Sequence, residues 1–156
     1  MIEAAVQAAP RKPSASKRHQ ARRFALQALY SHLLSGTLIN DLLANFRSEE
    51  SFARCDQSYF DQLVRGVLTE RARLEPMFIE HLDRPVAQLD PVEHAVLLLS
   101  TYELAHCPEL PYRVAINEAV ELTKLFGATE GHKYINGVVD RMARKLRSAE
   151  IGVSRS

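Results

Sequence analysis

Apolar residues recur at helical spacing along most of this chain, and the alternating pattern of a β-strand is nearly absent. Within residues 16–35, for example, Ala25, Leu29 and Leu33 fall on one stripe of a helix. Such a stripe is typical of a helix that buries one face in a core. Gly36 follows directly, at a position where glycine commonly ends a helix. The dominant pattern therefore predicts an all-α fold.

The same spacing predicts up to six further helices, at about residues 39–46, 56–73, 76–81, 91–106, 111–126 and 131–147. Asp90 and Pro91 mark the start of one of them, since aspartate can cap a helix and proline suits its first position. That helix is apolar nearly all round, as is usual for a central, buried helix. We therefore count six or seven helices in all.

The dipeptide Arg84-Pro85 predicts a joint between two small bundles that share one core. The start of the chain is rich in Ala, Pro and Ser and has no sustained apolar pattern, which is typical of disorder. The predicted organisation is a disordered tail at residues 1–16, one domain at 17–150 with sub-bundles at about 17–82 and 86–148, and a flexible end at 151–156.

The net charge of +1 hides an uneven distribution of charges. Residues 1–40 hold six basic residues (Lys or Arg) and one acidic residue. Residues 41–130 hold eight basic and sixteen acidic residues, and residues 131–156 hold six basic and two acidic residues. Basic ends favour a polyanionic ligand, and an acidic middle favours a basic partner. The two cysteines form no metal or redox motif, and no apolar run is long enough to span a bilayer, so we predict a cytoplasmic protein.

Sequence motifs that carry catalysis are absent: there is no phosphate-binding loop, no dinucleotide fingerprint and no HExxH. The six histidines share no ligand-like spacing, and His32 lies on the apolar stripe of the first helix, which favours a core histidine over a metal ligand. The sequence therefore predicts no enzyme, no cofactor and no metal site.

A basic run, KRHQARRFALQALY, opens the first predicted helix. Lys17, Arg18, Arg22 and Arg23 supply its cations. Arg18 and Arg22 share a face because they are four residues apart. Such a face can contact several phosphates. Each phosphate contact with a single strand contributes about 0.7 to the slope of log Kd against log salt. The alternative is a solvated helix whose charges bind nothing.

A second basic cluster lies in the last predicted helix, where Lys133-Tyr134 precedes further cations at Arg141, Arg144, Lys145 and Arg147. A lysine beside an aromatic ring is a pair that single-stranded RNA binders use, because the ring stacks a base and the cation holds a phosphate. The alternative for Tyr134 is a place in the core.

Four segments, in this order, resemble the NusB family of bacterial transcription antitermination factors: ARRFALQALYS, DPVEHAVLLLSTYEL, PYRVAINEAVELTKLFG and GHKYINGVVDRMARKLR. The resemblance covers about residues 17–147. It implies two three-helix sub-bundles packed across one another, with no cofactor. It also implies binding of boxA single-stranded RNA together with the ribosomal protein NusE. In a complex with RNA polymerase and other Nus factors, such a protein promotes elongation through rRNA operons and supports rRNA maturation.

The resemblance assigns roles to individual residues. Those assigned to RNA binding are Lys17, Arg18, Arg22, Glu130, Lys133 and Tyr134, to which we add Arg23 for its charge. Those assigned to NusE are Tyr30, Leu34 and Glu93. His19 and Gln20 stand where some relatives have arginine, which predicts weak RNA binding in the absence of NusE.

Other interpretations stay open from the sequence alone. The chain could be a stand-alone RNA-binding module related to the N-terminal domain of rRNA cytosine methyltransferases, which share the helical fold. It could be a protein-interaction module whose basic ends only confer solubility. It could also form a homodimer that hides the RNA-binding face.

Overall fold

The computed structural model describes residues 14–128 and 130–155, so most of the predicted tail at residues 1–16 lies outside the described residues. The described residues contain α-helices, one 3₁₀ turn at Val86–Gln88 and no β-strand, which confirms the predicted all-α class. The α-helices are α1 (Ala15–Ser35), α2 (Ile39–Phe46), α3 (Glu50–Arg54), α4 (Gln57–Ile79), α5 (Pro91–His106), α6 (Tyr112–Phe126), α7 (Gly131–Leu146) and α8 (Ser148–Arg155).

Two helix ends follow their sequence signals closely. Gly36 ends α1 with a φ of 68°, a left-handed backbone that suits glycine. Asp90 caps α5, because its side chain accepts hydrogen bonds from the backbone N–H groups of Val92 and Glu93. The Glu93 carboxylate accepts from the N–H of Asp90 in return, which completes a capping box. Pro91 occupies the first turn of α5, where its missing N–H is harmless.

Two helices differ from the sequence prediction. The five-residue α3 is too short to show a periodic pattern, and it forms because Phe52 is buried against Phe24, with 5.1 Å between the ring centroids. α4 continues through Pro76, where the sequence predicts a break and a new helix. Pro76 lies in the last turn, where it removes a single N–H donor, and Leu74 and Phe78 beside it are fully buried.

The chain is helical as far as Arg155, whereas the sequence predicts a flexible end from residue 151. Ile151 is 8% exposed, and its backbone N–H donates to the carbonyl of Arg147 at 3.0 Å. Burial of this apolar side chain, together with the hydrogen bond from the Tyr112 N–H to the Glu150 carboxylate at 3.0 Å, attaches α8 to the domain.

α5 is the central helix, as its nearly continuous apolar surface predicts. Eleven of its sixteen residues are buried, and it packs against α1, α4, α6 and α7. α1 also packs with α4, and α6 packs with α7, so α5 joins two packed groups of helices. None of the described helices combines the length and the hydropathy that crossing a membrane requires.

Candidate nucleic-acid interface

Arg22 lies inside the fold, although the sequence predicts that it contacts phosphate. Its side chain is 3% exposed, its Nε donates to Glu103 at 2.8 Å, and its Nη1 lies 3.4 Å from Glu118. Tyr59 donates its hydroxyl to the same Glu103 carboxylate. An RNA contact by Arg22 stays a prediction, although the guanidinium is enclosed and already paired with Glu103 and Glu118.

This buried cluster of Arg22, Tyr59, Glu103 and Glu118 holds α1 against three other helices. Tyr59 lies on α4, Glu103 on α5 and Glu118 on α6. Burial raises the pKa of Glu103, and the charge of Arg22 opposes that rise. Burial and the neighbouring Glu103 also raise the pKa of Tyr59, so its phenol remains a hydrogen-bond donor. The cluster fixes which face of α1 points outward.

Arg18 faces the same cluster and is only partly available to a ligand. Its guanidinium carbon lies 4.1 Å from the centroid of the Tyr59 ring, and its Nε lies 3.7 Å from the carboxylate of Asp56. About a fifth of the side chain, 21%, is exposed. An RNA contact by Arg18 stays a prediction, one that requires a phosphate to reach this stacked guanidinium.

Lys17 and Arg23 face an open groove of about 610 Å³, which we call the polar groove. Its lining residues come from α1 and from the segment around α3: Ser14, Ser16, Lys17, Gln20, Arg23, Phe24, Gln27, Glu49, Ser51 and Arg54. Arg54 adds a third cation, which no sequence motif indicates. Arg23 Nε is buried and has no hydrogen-bond partner among the described residues. Three cations against one lining acid, Glu49, give this groove a positive potential suited to phosphate.

The first turn of α7 carries Lys133, whose Nζ lies 2.6 Å from the carboxylate of Glu130. Both side chains are well exposed, at 72% and 61%. An exposed pair of this kind contributes little free energy, so a phosphate can replace Glu130 as the partner of Lys133. Glu130 itself has a φ of 72°, and this left-handed residue turns the chain into α7.

Tyr134 packs against the core rather than standing free. Its hydroxyl accepts a hydrogen bond from the backbone N–H of Asp83 at 3.4 Å, and burial raises its pKa. The guanidinium carbon of Arg84 lies 4.1 Å from its ring centroid. Stacking of a base directly on Tyr134 stays a prediction, because the structure already places a cation over this ring.

The other basic residues predicted along α7 have partners within the protein. Arg141 donates to the carbonyl of His81, Arg144 to Asp140, Lys145 to Glu80, and Arg147, just beyond the end of α7, to the carbonyl of Leu104. The basic cluster predicted along α7 is therefore largely engaged, and Lys133 is the cation of this helix whose partner is most easily replaced.

A second groove, of about 400 Å³, lies beside Tyr30 and is more apolar, and we call it the apolar groove. Its lining residues are Leu26, Gln27, Tyr30, Ser31, Val92 and Phe126. Leu34, one turn further along α1, is 56% exposed. Glu93 is 9% exposed, and its carboxylate belongs to the capping box of α5. Its contact with a partner protein stays a prediction.

The polar and apolar grooves meet on α1, because Gln27 lines both. Arg23 connects them as well, since its guanidinium carbon lies 6.0 Å from the ring centroid of Phe126. Lys133 and Tyr134 form a separate group at the start of α7, where Gly131 lies close to the carboxylate of Glu93. Within residues 14–128 and 130–155, no group of three or more His, Cys, Asp or Glu is placed to hold a metal ion.

Fold and surface together define an all-helical protein with a polar groove lined by three cations, an apolar groove on the same helix, and an exposed lysine at the start of α7. The sequence profile of the NusB family matches residues 19–144 of this chain. The chain belongs to the NusB family.

Relatives and solved structures agree with this assignment. The transcription antitermination protein NusB of Thiobacillus denitrificans is 48% identical over 88% of this chain and 94% of its own length. The Legionella pneumophila protein of the same name is 42% identical over 91% of this chain and 97% of its own length. T. maritima NusB superposes with a TM-score of 0.70 at 25% identity, covering 81% of this chain and 90% of that one. A complex of the antitermination factors NusB and NusE with dsRNA has a chain with the same fold, with a TM-score of 0.72 at 20% identity over 85% of this chain and 99% of that one.

Proposed function

We propose that this protein is a transcription antitermination factor that binds boxA single-stranded RNA together with the ribosomal protein NusE. It acts in the bacterial cytoplasm, within the elongation complex, together with RNA polymerase and other Nus factors. There it promotes elongation through rRNA operons and supports rRNA maturation. The proposal assigns it no reaction and no cofactor. Its membership of the NusB family and the names of its relatives support this role. The structural observation that carries the proposal is the polar groove on α1, open to solvent and lined by Lys17, Arg23 and Arg54.

The polar groove suits a single strand better than a compact ligand. Its volume of about 610 Å³ is large and its lining is mainly polar, with serine and glutamine side chains between the cations. Cations supply attraction to the backbone phosphates, whereas hydroxyl and amide groups can pair with bases or sugars. Lys133 on α7 extends the set of cations that a longer strand can meet.

The apolar groove suits a protein partner on the continuation of the same helix. Tyr30 lines it, and Leu34 offers a largely exposed apolar side chain nearby. Aromatic side chains that are partly exposed beside an apolar patch are common centres of protein–protein binding. Because the two grooves share Gln27, RNA and NusE would occupy adjacent parts of α1, and each would favour binding of the other.

Replacing Lys17 and Arg23 together with alanine should weaken binding of a labelled boxA RNA and reduce its salt dependence. The slope of log Kd against log salt should fall by about 1.4, since each lost phosphate contact accounts for about 0.7 on a single strand. Fluorescence anisotropy over a salt series measures both quantities.

The matched control removes two exposed arginines of α4, Arg65 and Arg73, whose side chains are 65% and 82% exposed. This control lowers the net charge equally and lies off both grooves. If the control changes the slope as much as the Lys17 and Arg23 variant does, binding is a nonspecific effect of net charge and the site on α1 is wrong.

A further inference from the structure

Arg84 lies in the segment between α4 and α5, and its side chain reaches the start of α7. Its guanidinium carbon is 4.1 Å from the ring centroid of Tyr134, a distance at which cation–π attraction is strong. The side chain is 37% exposed. The sequence gives no sign of this contact, because fifty residues separate the two partners.

The segment holds Tyr134 at two points. The backbone N–H of Asp83 donates to the Tyr134 hydroxyl at 3.4 Å, while Arg84 covers the ring. The Asp83 carboxylate accepts from Arg84 Nε at 2.7 Å and from Nη2 at 3.4 Å, which orients the guanidinium. Because Tyr134 also packs against the core, the planar group that faces solvent here is the guanidinium rather than the phenol ring.

We propose that Arg84, stacked on Tyr134, is an RNA-contact residue that completes the site at the start of α7. A base stacks on the outer face of the guanidinium, and N–H groups not used by Asp83 donate to a phosphate. This proposal rests on the RNA-binding function proposed above, and it replaces direct stacking on Tyr134 with stacking on the cation that the ring holds.

The chemistry of arginine supports this arrangement. A guanidinium is planar, weakly hydrated and always charged, so it can stack on an aromatic ring and on a nucleobase and still donate hydrogen bonds. The ion pair of Arg84 with Asp83 is exposed, since 65% of the Asp83 side chain is open to solvent. An exposed ion pair contributes little free energy, so a phosphate can compete for the guanidinium N–H groups. Lys133, next to Tyr134 in the chain, supplies a second cation for the same strand.

The test compares four variants and one control variant with the wild-type protein, in anisotropy titrations of a single-stranded boxA RNA over a salt series. Arg84→Ala should weaken binding about 5- to 10-fold, a typical loss for one stacked base, and lower the salt slope by about 0.7. Arg84→Lys should keep the slope and recover only part of the affinity. Tyr134→Leu should weaken binding as well, because it removes the surface that holds the guanidinium.

The double variant Arg84→Ala with Tyr134→Leu should bind no more weakly than the worse single variant, since the two residues act as one unit. Arg73→Ala, an exposed arginine on α4, is the matched control for charge and should stay within twofold of wild type. Far-UV circular dichroism and thermal unfolding confirm that each variant is folded.

Three outcomes overturn different statements. If wild type binds boxA RNA and the Lys17 and Arg23 variant binds weakly, but Arg84→Ala equals Arg73→Ala, the role of Arg84 is wrong and the proposed function stands. If wild type prefers no single-stranded RNA at any salt concentration, the proposed function fails and the role of Arg84 fails with it. If the losses of RNA affinity from the two substitutions add fully in the double variant, the claim that Arg84 and Tyr134 act as one unit is wrong.

Discussion

Arg22→Ala should lower the free energy of unfolding by about 3–5 kcal/mol, the range measured when one partner of a buried ion pair is removed. The substitution leaves the Glu103 carboxylate, itself in a residue only 2% exposed, without its cation. Since burial already raises the pKa of Glu103, loss of Arg22 should raise this pKa further. Folded Glu103 then binds its proton more tightly than unfolded glutamate does, so the loss of stability should be larger at pH 7.5 than at pH 5.

Urea unfolding at the two pH values measures this effect, with Lys17→Ala as the control for a lost cation on the same helix. Lys17 is exposed, so the control should stay within about 0.5 kcal/mol of wild type. Under conditions where wild type and Arg22→Ala are both folded, the Kd of Arg22→Ala for RNA should lie within about twofold of the wild-type value. A stable Arg22→Ala protein that no longer binds RNA would show that Arg22 reaches the ligand after all.

Arg147→Met should cost about 3 kcal/mol or more, because it removes charged hydrogen bonds to four buried backbone carbonyls and the ion pair with Glu150. Arg147 is 8% exposed, and its guanidinium donates to the backbone carbonyls that close α5 and the turn after it: those of Glu103, Leu104, Cys107 and Leu110. Methionine fills a similar volume but offers no donor. For a chain of this length, a loss of that size lowers Tm by roughly 6–12 °C.

Differential scanning calorimetry checks this value, with Arg144→Met as the matched control. Arg144 lies one turn earlier on α7, is 55% exposed and pairs with Asp140 at 3.0 Å, so its replacement should change Tm by at most about 2 °C. Equal shifts for the two variants would show that Arg147 makes no special contribution to the end of α5.

The sequence predicts the helices well because their signals are local. Asp90, Pro91 and Gly36 act through the backbone within three or four residues, and the structure places them as predicted. α3 gives no such signal, because a helix of five residues depends on Phe52 meeting aromatic rings from other segments. The helix that includes Ile151 likewise depends on a tertiary contact.

Charges are harder to assign, because a sequence lists cations without their partners. A signal for Arg22 was nevertheless present: it lies three residues before Ala25 and seven before Leu29, on the buried stripe of α1. Arg23 is one residue further around the helix, beside the polar groove. No comparable signal exists for Arg84 or Arg147, whose contacts reach across more than thirty residues of sequence.

The central claim is that RNA and NusE bind adjacent parts of one helix and favour each other. Titration of labelled boxA RNA, and of a scrambled RNA of equal length, with and without saturating NusE tests it most directly. We expect weak binding of boxA alone, at least about fivefold tighter binding with NusE, which corresponds to about 1 kcal/mol of coupling, and a smaller gain for the scrambled RNA. Equal gains for both RNAs, or no gain from NusE, would contradict the account.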